Sequence, residues 1–137
     1  MKYAIRYYSR TGHTKKVAEA MAEIIGVEAK PISEKIEEDV DTLFLGSAFY
    51  AASLDENIKK FIEDLDVNVG EIVNFSTATL LGSTYSQISK IAKEKNITMN
   101  PKEFHCKGAF GAIFKNRPNE NDLENAKQFA KQIMNEK

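Results

Sequence analysis

Apolar residues recur along this chain in two alternating rhythms. Short runs of aromatic and β-branched residues mark strands, and apolar positions three and four apart mark helices. "KYAIRYY" (Lys2–Tyr8) reads as the first strand. Val17, Ala18, Met21, Ile24 and Ile25 then share one helical stripe, which Gly26 closes. "VEAKPI" is a short second strand, set at or near a sheet edge by Pro31. The segment "SEKIEED" has room for a turn or two of helix at most. "DTLFLGSAFY" (Asp41–Tyr50) contains Leu43–Leu45, a run suited to burial on both faces. "LDENIKKFIEDL" puts Ile58, Phe61, Ile62 and Leu65 on a helical stripe, with Asp55 or Ser53 as N-cap. "EIVNFST" predicts a fourth strand, "TYSQISKIAKEKN" a helix with Tyr85, Ile88, Ile91 and Ala92 inward, and "EFHCKGAF" a fifth strand. The last helix, in "NENDLENAKQFAKQIMNEK", turns Leu123, Ala126, Phe129, Ala130, Ile133 and Met134 to the core.

Strands alternating with helices imply parallel pairing through right-handed crossovers, hence an α/β three-layer αβα sandwich. Five strands suit an open, doubly wound parallel sheet. In such sheets ligands bind beyond the carboxyl ends of the strands, where the winding reverses. No repeat or linker divides the chain, so a single domain over 1–137 is expected.

Composition narrows the function classes. With 19 basic and 20 acidic residues mixed along the chain, the net charge is −1. That argues against a nucleic-acid surface or a polybasic membrane anchor. No apolar run approaches the roughly 20 residues that span a bilayer. The single cysteine, Cys106, rules out an internal disulfide and fits a reducing, cytoplasmic setting. Neighbours on a strand face opposite ways, so His105 and Cys106 cannot share a metal. Cys106 is read as a core residue, and no metal site is expected.

The chemistry concentrates in "SRTGHT" (Ser9–Thr14), at the exit of the first strand. A helix start carries unpaired N–H groups and about half a positive charge, so it attracts an anion. Gly12 permits close backbone approach. Ser9, Thr11 and Thr14 offer hydroxyl donors for phosphate oxygens beside the amides of Arg10 to Thr14. The bland alternative is an N-cap supplied by Thr11 or Thr14, for which one hydroxyl suffices. Neither GxxxxGK[ST] nor GxGxxG is present, and no acidic residues end the first strand to hold magnesium.

Ser/Thr-x-Thr-Gly-x-Thr after a first strand, here "SRTGHT", with a third strand running into Gly-x-x-x-aromatic, here "GSAFY", resembles the flavodoxin family of the short-chain type. The resemblance follows element order over the whole chain. It implies a flavodoxin-like sheet of order 2-1-3-4-5 and FMN as cofactor. The phosphate would sit on Ser9, Arg10, Thr11, Gly12, His13 and Thr14, with His13 acting through its backbone and its ring exposed. The ring would lie between the loop Ser47, Ala48, Phe49, Tyr50, Ala51 and the loop from Ser76, Thr77, Ala78 and Thr79. Tyr50 is the favoured stacking aromatic, contributing on the order of 1 kcal/mol beyond burial. Phe49 can equally cap the core. Tyr85 would cover the second ring face or else pack inward with Ile88 and Ile91.

Two departures shape the expectation. Where relatives often carry a glycine whose peptide flips toward the ring, this chain has Ala51, and such a flip at alanine costs roughly 1–2 kcal/mol. The one-electron-reduced flavin is therefore expected to be less stabilised. Arg10, His13, Lys15 and Lys16 also cluster at the turn of a nearly neutral chain, where relatives tend to be acidic. Those cations would tighten FMN binding, form a basic lip for an anionic substrate, or be ordinary solvated surface.

The resemblance implies an electron-transfer protein shuttling electrons between a reductase and a redox enzyme, expected to be a monomer with no assigned catalytic residue. The alternative is an FMN-dependent oxidoreductase acting on a small molecule such as a quinone or protoporphyrinogen. A third reading is a flavodoxin-fold binding or regulatory module without flavin.

Overall fold

The computed structural model describes residues 1–50, 53–78, 83–108 and 116–137, with backbone alone at 49, 50 and 53. In chain order the elements are β1 (Tyr3–Tyr7), α1 (His13–Ile25), β2 (Ala29–Pro31), β3 (Val40–Tyr50), β4 (Ser53–Leu54), α2 (Glu56–Glu63), β5 (Val69–Ala78), α3 (Tyr85–Glu94), β6 (Phe104–Lys107) and α4 (Glu120–Asn135). The sheet runs β2-β1-β3-β5-β6, and every pairing on that path is parallel. With the two-residue β4 set aside, this is the expected 2-1-3-4-5 order.

The alternation inside β3 explains the three layers. Phe44 packs on one face with Ile5, Val17, Met21, Phe75 and Ile133, under α1 and α4. Leu43 and Leu45 pack on the other with Ile58, Ile62, Ile72 and Ile88, under α2 and α3. Phe44, Leu43 and Leu45 are each 0% exposed, as a central strand requires. Gly46 follows them because a Cβ there would overlap the Phe75 ring. Pro31 sits on edge strand β2 opposite Tyr7, where its missing N–H interrupts no outer ladder.

Two features of the connections shape the site. First, β3 does not run straight into a loop. The chain turns back antiparallel, with Phe49 opposite Leu54 and Tyr50 opposite Ser53. Second, the crossover from β2 to β3 holds no helix. Its place is set by Arg6, buried on the α2-side face of β1. Arg6 Nε donates to the Glu34 carbonyl at 2.7 Å and Nη2 to the Lys35 carbonyl at 3.2 Å. These bonds satisfy main-chain oxygens that an irregular strap would otherwise strand. Ile36, 3% exposed, seals the strap onto the core. Beside it a groove of about 650 Å³ runs along α2, floored by Tyr8, Ile32, Ile36, Phe61 and Leu65.

Candidate functional site

The start of α1 lies at the exit of β1, between β2 and β3, where the winding of the sheet reverses. Gly12 is the N-cap, at φ 91° in the left-handed region. No side chain caps this helix, and no acidic residue stands in its first turn. Ser9 Oγ accepts the Gly12 N–H at 2.9 Å, which tightens the turn and leaves the hydroxyl proton to donate elsewhere. Thr11 is exposed beside it. The first N–H groups of α1 therefore fan outward beside Ser9 and Thr11, with Lys15 and Lys16 exposed just beyond.

The three hydroxyls of the turn do different things. Thr14 is 1% exposed, and its Oγ1 lies 2.9 Å from Thr77 Oγ1 and 3.4 Å from the Ser47 carbonyl oxygen. It ties α1 to the tips of β3 and β5, so its hydroxyl is not on the surface of the turn. His13 also differs from expectation. Its ring is half-buried and its Nδ1 buried without a hydrogen-bond partner among the described residues. The ring lies over the tips of β5 and β6, where a Cβ added to Gly108 would come within 3.5 Å of His13 Cδ2. As the first residue of α1, it is carried back over the sheet rather than into solvent.

Arg10 reaches sideways. Its Nη2 lies 2.9 Å from Asp55 Oδ2. Asp55 is the N-cap of α2, accepting the Asn57 N–H at 2.9 Å through Oδ1, and Asn57 Nδ2 reaches the Tyr8 hydroxyl at 3.4 Å. Burial works to raise the Asp55 carboxyl, but the Asn57 amide and the Arg10 guanidinium outweigh it and hold the pKa below the usual carboxylate range. Nothing in the sequence signals a contact across 45 residues; only the capping role of Asp55 was legible there.

On the other side of the site, the ladder between β3 and β5 continues through Ser47↔Ser76, Ala48↔Thr77 and Phe49↔Ala78. Ser47, Ala48, Ser76, Thr77 and Ala78 are therefore strand residues, buried in the sheet tips, rather than loop residues as expected. Ser47 Oγ donates to Thr84 Oγ1 at 2.8 Å, and Asn74 Nδ2 donates to the same oxygen at 3.2 Å. Those bonds seat the start of α3. Ser76 Oγ is buried without a hydrogen-bond partner among the described residues. Tyr85 donates its hydroxyl to the Asn100 carbonyl at 3.0 Å, and Asn100 N–H donates in turn to Ile72 near the start of β5. That ties the Tyr85 hydroxyl to the segment between α3 and β6. The backbones of Phe49 and Tyr50 are placed by the β3–β4 hairpin, whereas Ala51 and Thr79 lie outside the described residues.

Cys106 packs at the margin of the α1/α4 core, and burial, assisted by Asp122, pushes its thiol up to about 12. It stays protonated and unreactive at neutral pH. His105, on the opposite side of β6, is exposed. Among the described residues, no helix is long and apolar enough to cross a membrane.

The family model for the flavodoxin domain matches residues 4–120. The chain belongs to the flavodoxin family. An uncharacterised protein of Methanocaldococcus jannaschii is 30% identical to it, over 98% of this chain and 99% of that one. A flavodoxin from the domain Archaea superposes with a TM-score of 0.80 at 17% identity, covering 99% and 98% of the two chains. Oxidised flavodoxin 2 from Bacillus cereus superposes at 0.73 with 16% identity over the full length of both. At those identities the two structures speak to the fold.

Membership of the flavodoxin family implies a flavin site, and the described phosphate side of that site fits one. The left-handed Gly12, the uncapped start of α1 and the exposed Thr11 form a cradle for an anion, with no carboxylate in the first turn to repel it. The ring-side loops include residues 51–52 and 79–82, outside the described part.

Proposed function

We propose that this flavodoxin domain binds FMN and carries electrons between a reductase and an acceptor redox enzyme. The observation that carries the reading is the start of α1, which has neither a capping side chain nor an acid of its own. The FMN phosphate would accept from the first amides of α1, from the Thr11 hydroxyl and from Ser9. Thr14 would serve through its amide, and the Arg10 and His13 side chains are directed elsewhere. Bound FMN supplies one- and two-electron transfer, and a carrier asks the protein only to hold it and expose its edge. The proteins it would meet are a reductase and an acceptor enzyme.

Quenching of FMN fluorescence by the apoprotein tests the first half, with riboflavin as control. Strong quenching of FMN at submicromolar protein and much weaker quenching of riboflavin is the expected result. Equal quenching of both would remove the phosphate role of residues 9–14. For the second half, sustained NAD(P)H oxidation by the FMN-loaded protein without an added reductase would replace the carrier by an enzyme.

A further inference from the structure

We infer that the Arg10–Asp55 ion pair clamps the phosphate-side turn to the ring-side hairpin, so that Asp55 governs FMN affinity without touching FMN. The inference rests on the reading of residues 9–14 as the phosphate turn.

Arg10 stands inside that turn. Asp55 immediately follows β4, the return strand paired with the end of β3. Their contact thus bridges the two loops that would hold opposite ends of the cofactor. The two partners are unequal: the Asp55 side chain is 8% exposed and that of Arg10 57%. Asp55 is already fixed as the cap of α2, with Oδ1 on the Asn57 amide and Oδ2 turned to Arg10. A carboxylate held in place this way loses little further freedom on pairing, unlike two long side chains meeting at a surface.

The link is also closed on itself. Asn57 Nδ2 reaches back to the Tyr8 hydroxyl, which also stands beside the Arg10 guanidinium. Tyr8 N–H donates to the Gly46 carbonyl at 3.0 Å, joining this ring of contacts to β3. Turn, hairpin and helix start are therefore linked by the protein's own contacts. Preorganisation of that kind spares the ligand the cost of ordering each loop separately.

A competing account assigns the opposite sign to Asp55. If Arg10 is the counter-ion of the phosphate, Asp55 competes for it and its neutralisation tightens FMN. If the pair is a clamp, its neutralisation loosens FMN. Asp55→Asn separates the two, because asparagine caps a helix as well as aspartate and removes only the charge.

The experiment compares the wild-type chain, Asp55→Asn, Arg10→Gln and the double variant for FMN affinity by fluorescence quenching, at low and high salt. Hydrogen exchange of the same four apoproteins is followed over residues 10–14 and 55–58. Each single variant should bind FMN about threefold to tenfold more weakly. The double variant should be no weaker than either single one, and high salt should shrink the difference. Exchange at 10–14 should quicken in Asp55→Asn, although the substitution lies on another element. Tighter FMN binding by Asp55→Asn, or additive losses in the double variant, would overturn the clamp. Should the wild-type chain bind no FMN, the phosphate reading fails by itself. Exchange then decides the clamp, and unchanged protection at 10–14 in Asp55→Asn sinks it.

Discussion

Helices α1 and α4 lie side by side on one face of the sheet, yet they begin in opposite ways. At α4, Asn119 Oδ1 accepts the Asp122 N–H at 2.9 Å while Asp122 Oδ2 accepts the Asn119 N–H at 2.8 Å. Glu120 and Asp122 add negative charge to its first turn, and Arg117 forks onto Asp122, with Nη2 2.6 Å from Oδ1. That start satisfies its own donors and its own dipole. At α1 a glycine caps, no side chain accepts from the first turn and no acid is present. The same chain can close a helix start with its own side chains, and at the winding reversal of the sheet it leaves α1 without cap or acid. Helix α3 also lacks a first-turn acid, but there Ser83 Oγ accepts the Tyr85 N–H at 2.9 Å. The difference supports the reading of α1 as the start that would take an anion from outside.

Giving α1 an acid of its own breaks the comparison most sharply. Thr11→Asp should weaken FMN binding roughly thirtyfold to a hundredfold through repulsion at close range. It should also stabilise the apoprotein by about 0.3–1 kcal/mol through the helix dipole, so affinity and melting temperature move in opposite directions. Fluorescence titration and thermal melts of one preparation read both. If affinity is unchanged, the open start is not the phosphate cradle.

Removing the acid from α4 is the mirror experiment. Asp122→Ala strips the capping box and strands Arg117, and should cost roughly 1–2 kcal/mol in urea melts. FMN affinity should stay within about twofold, since this start takes no external anion. Gly12→Ala comes next. It forces alanine to φ 91°, which should cost roughly 1 kcal/mol of stability and misdirect the amides that follow. Affinity should fall in step with stability; full affinity despite the strain would detach the cradle from the glycine.

The smallest effect is in the acid limb. Burial works to raise the Asp122 carboxyl, but Arg117 and the Asn119 amide outweigh it and hold the pKa below the ordinary 3.8. Its stabilisation is therefore fully present above pH about 4 and is lost as pH falls below 3.8 through the depressed folded value. Asp122→Asn should flatten stability against pH in that window. No acidic substitution at α1 is needed to test this, because α1 has no first-turn carboxylate to protonate.

How much of this was legible depended on range. Strand order followed from the family resemblance, whereas the helical stripes, the buried run Leu43–Leu45 and the edge proline fix strands and helices, because each is a local pattern read against one periodicity. The turn was legible for the same reason: hydroxyls, a glycine and a helix start are adjacent in sequence. What stayed hidden depended on contacts between distant residues. Arg6 reads as a surface cation until the Glu34 and Lys35 carbonyls are seen around it. Thr14 and Thr77 are 63 residues apart, so the inward turn of Thr14 has no local signature. Asp55 could be assigned as a cap but not as the partner of Arg10. His13 packs against Gly108, just past the end of β6, and nothing local in the sequence announces that contact.

The strap held by Arg6 also grades the molecule in its resistance to opening. Strand β2 is three residues long and pairs only with β1, and no helix weighs on the connection that follows. Peeling it away breaks a short ladder, the bonds of one guanidinium, the Lys35–Asp66 pair and the burial of Ile36, while β3 and β5 are locked by nine paired positions and two apolar layers. The β2 edge is thus a hinge of low free energy attached to a rigid block. Fluctuations of that edge can come and go without disturbing the tips of β3 and β5, on which Thr14 anchors the open start of α1.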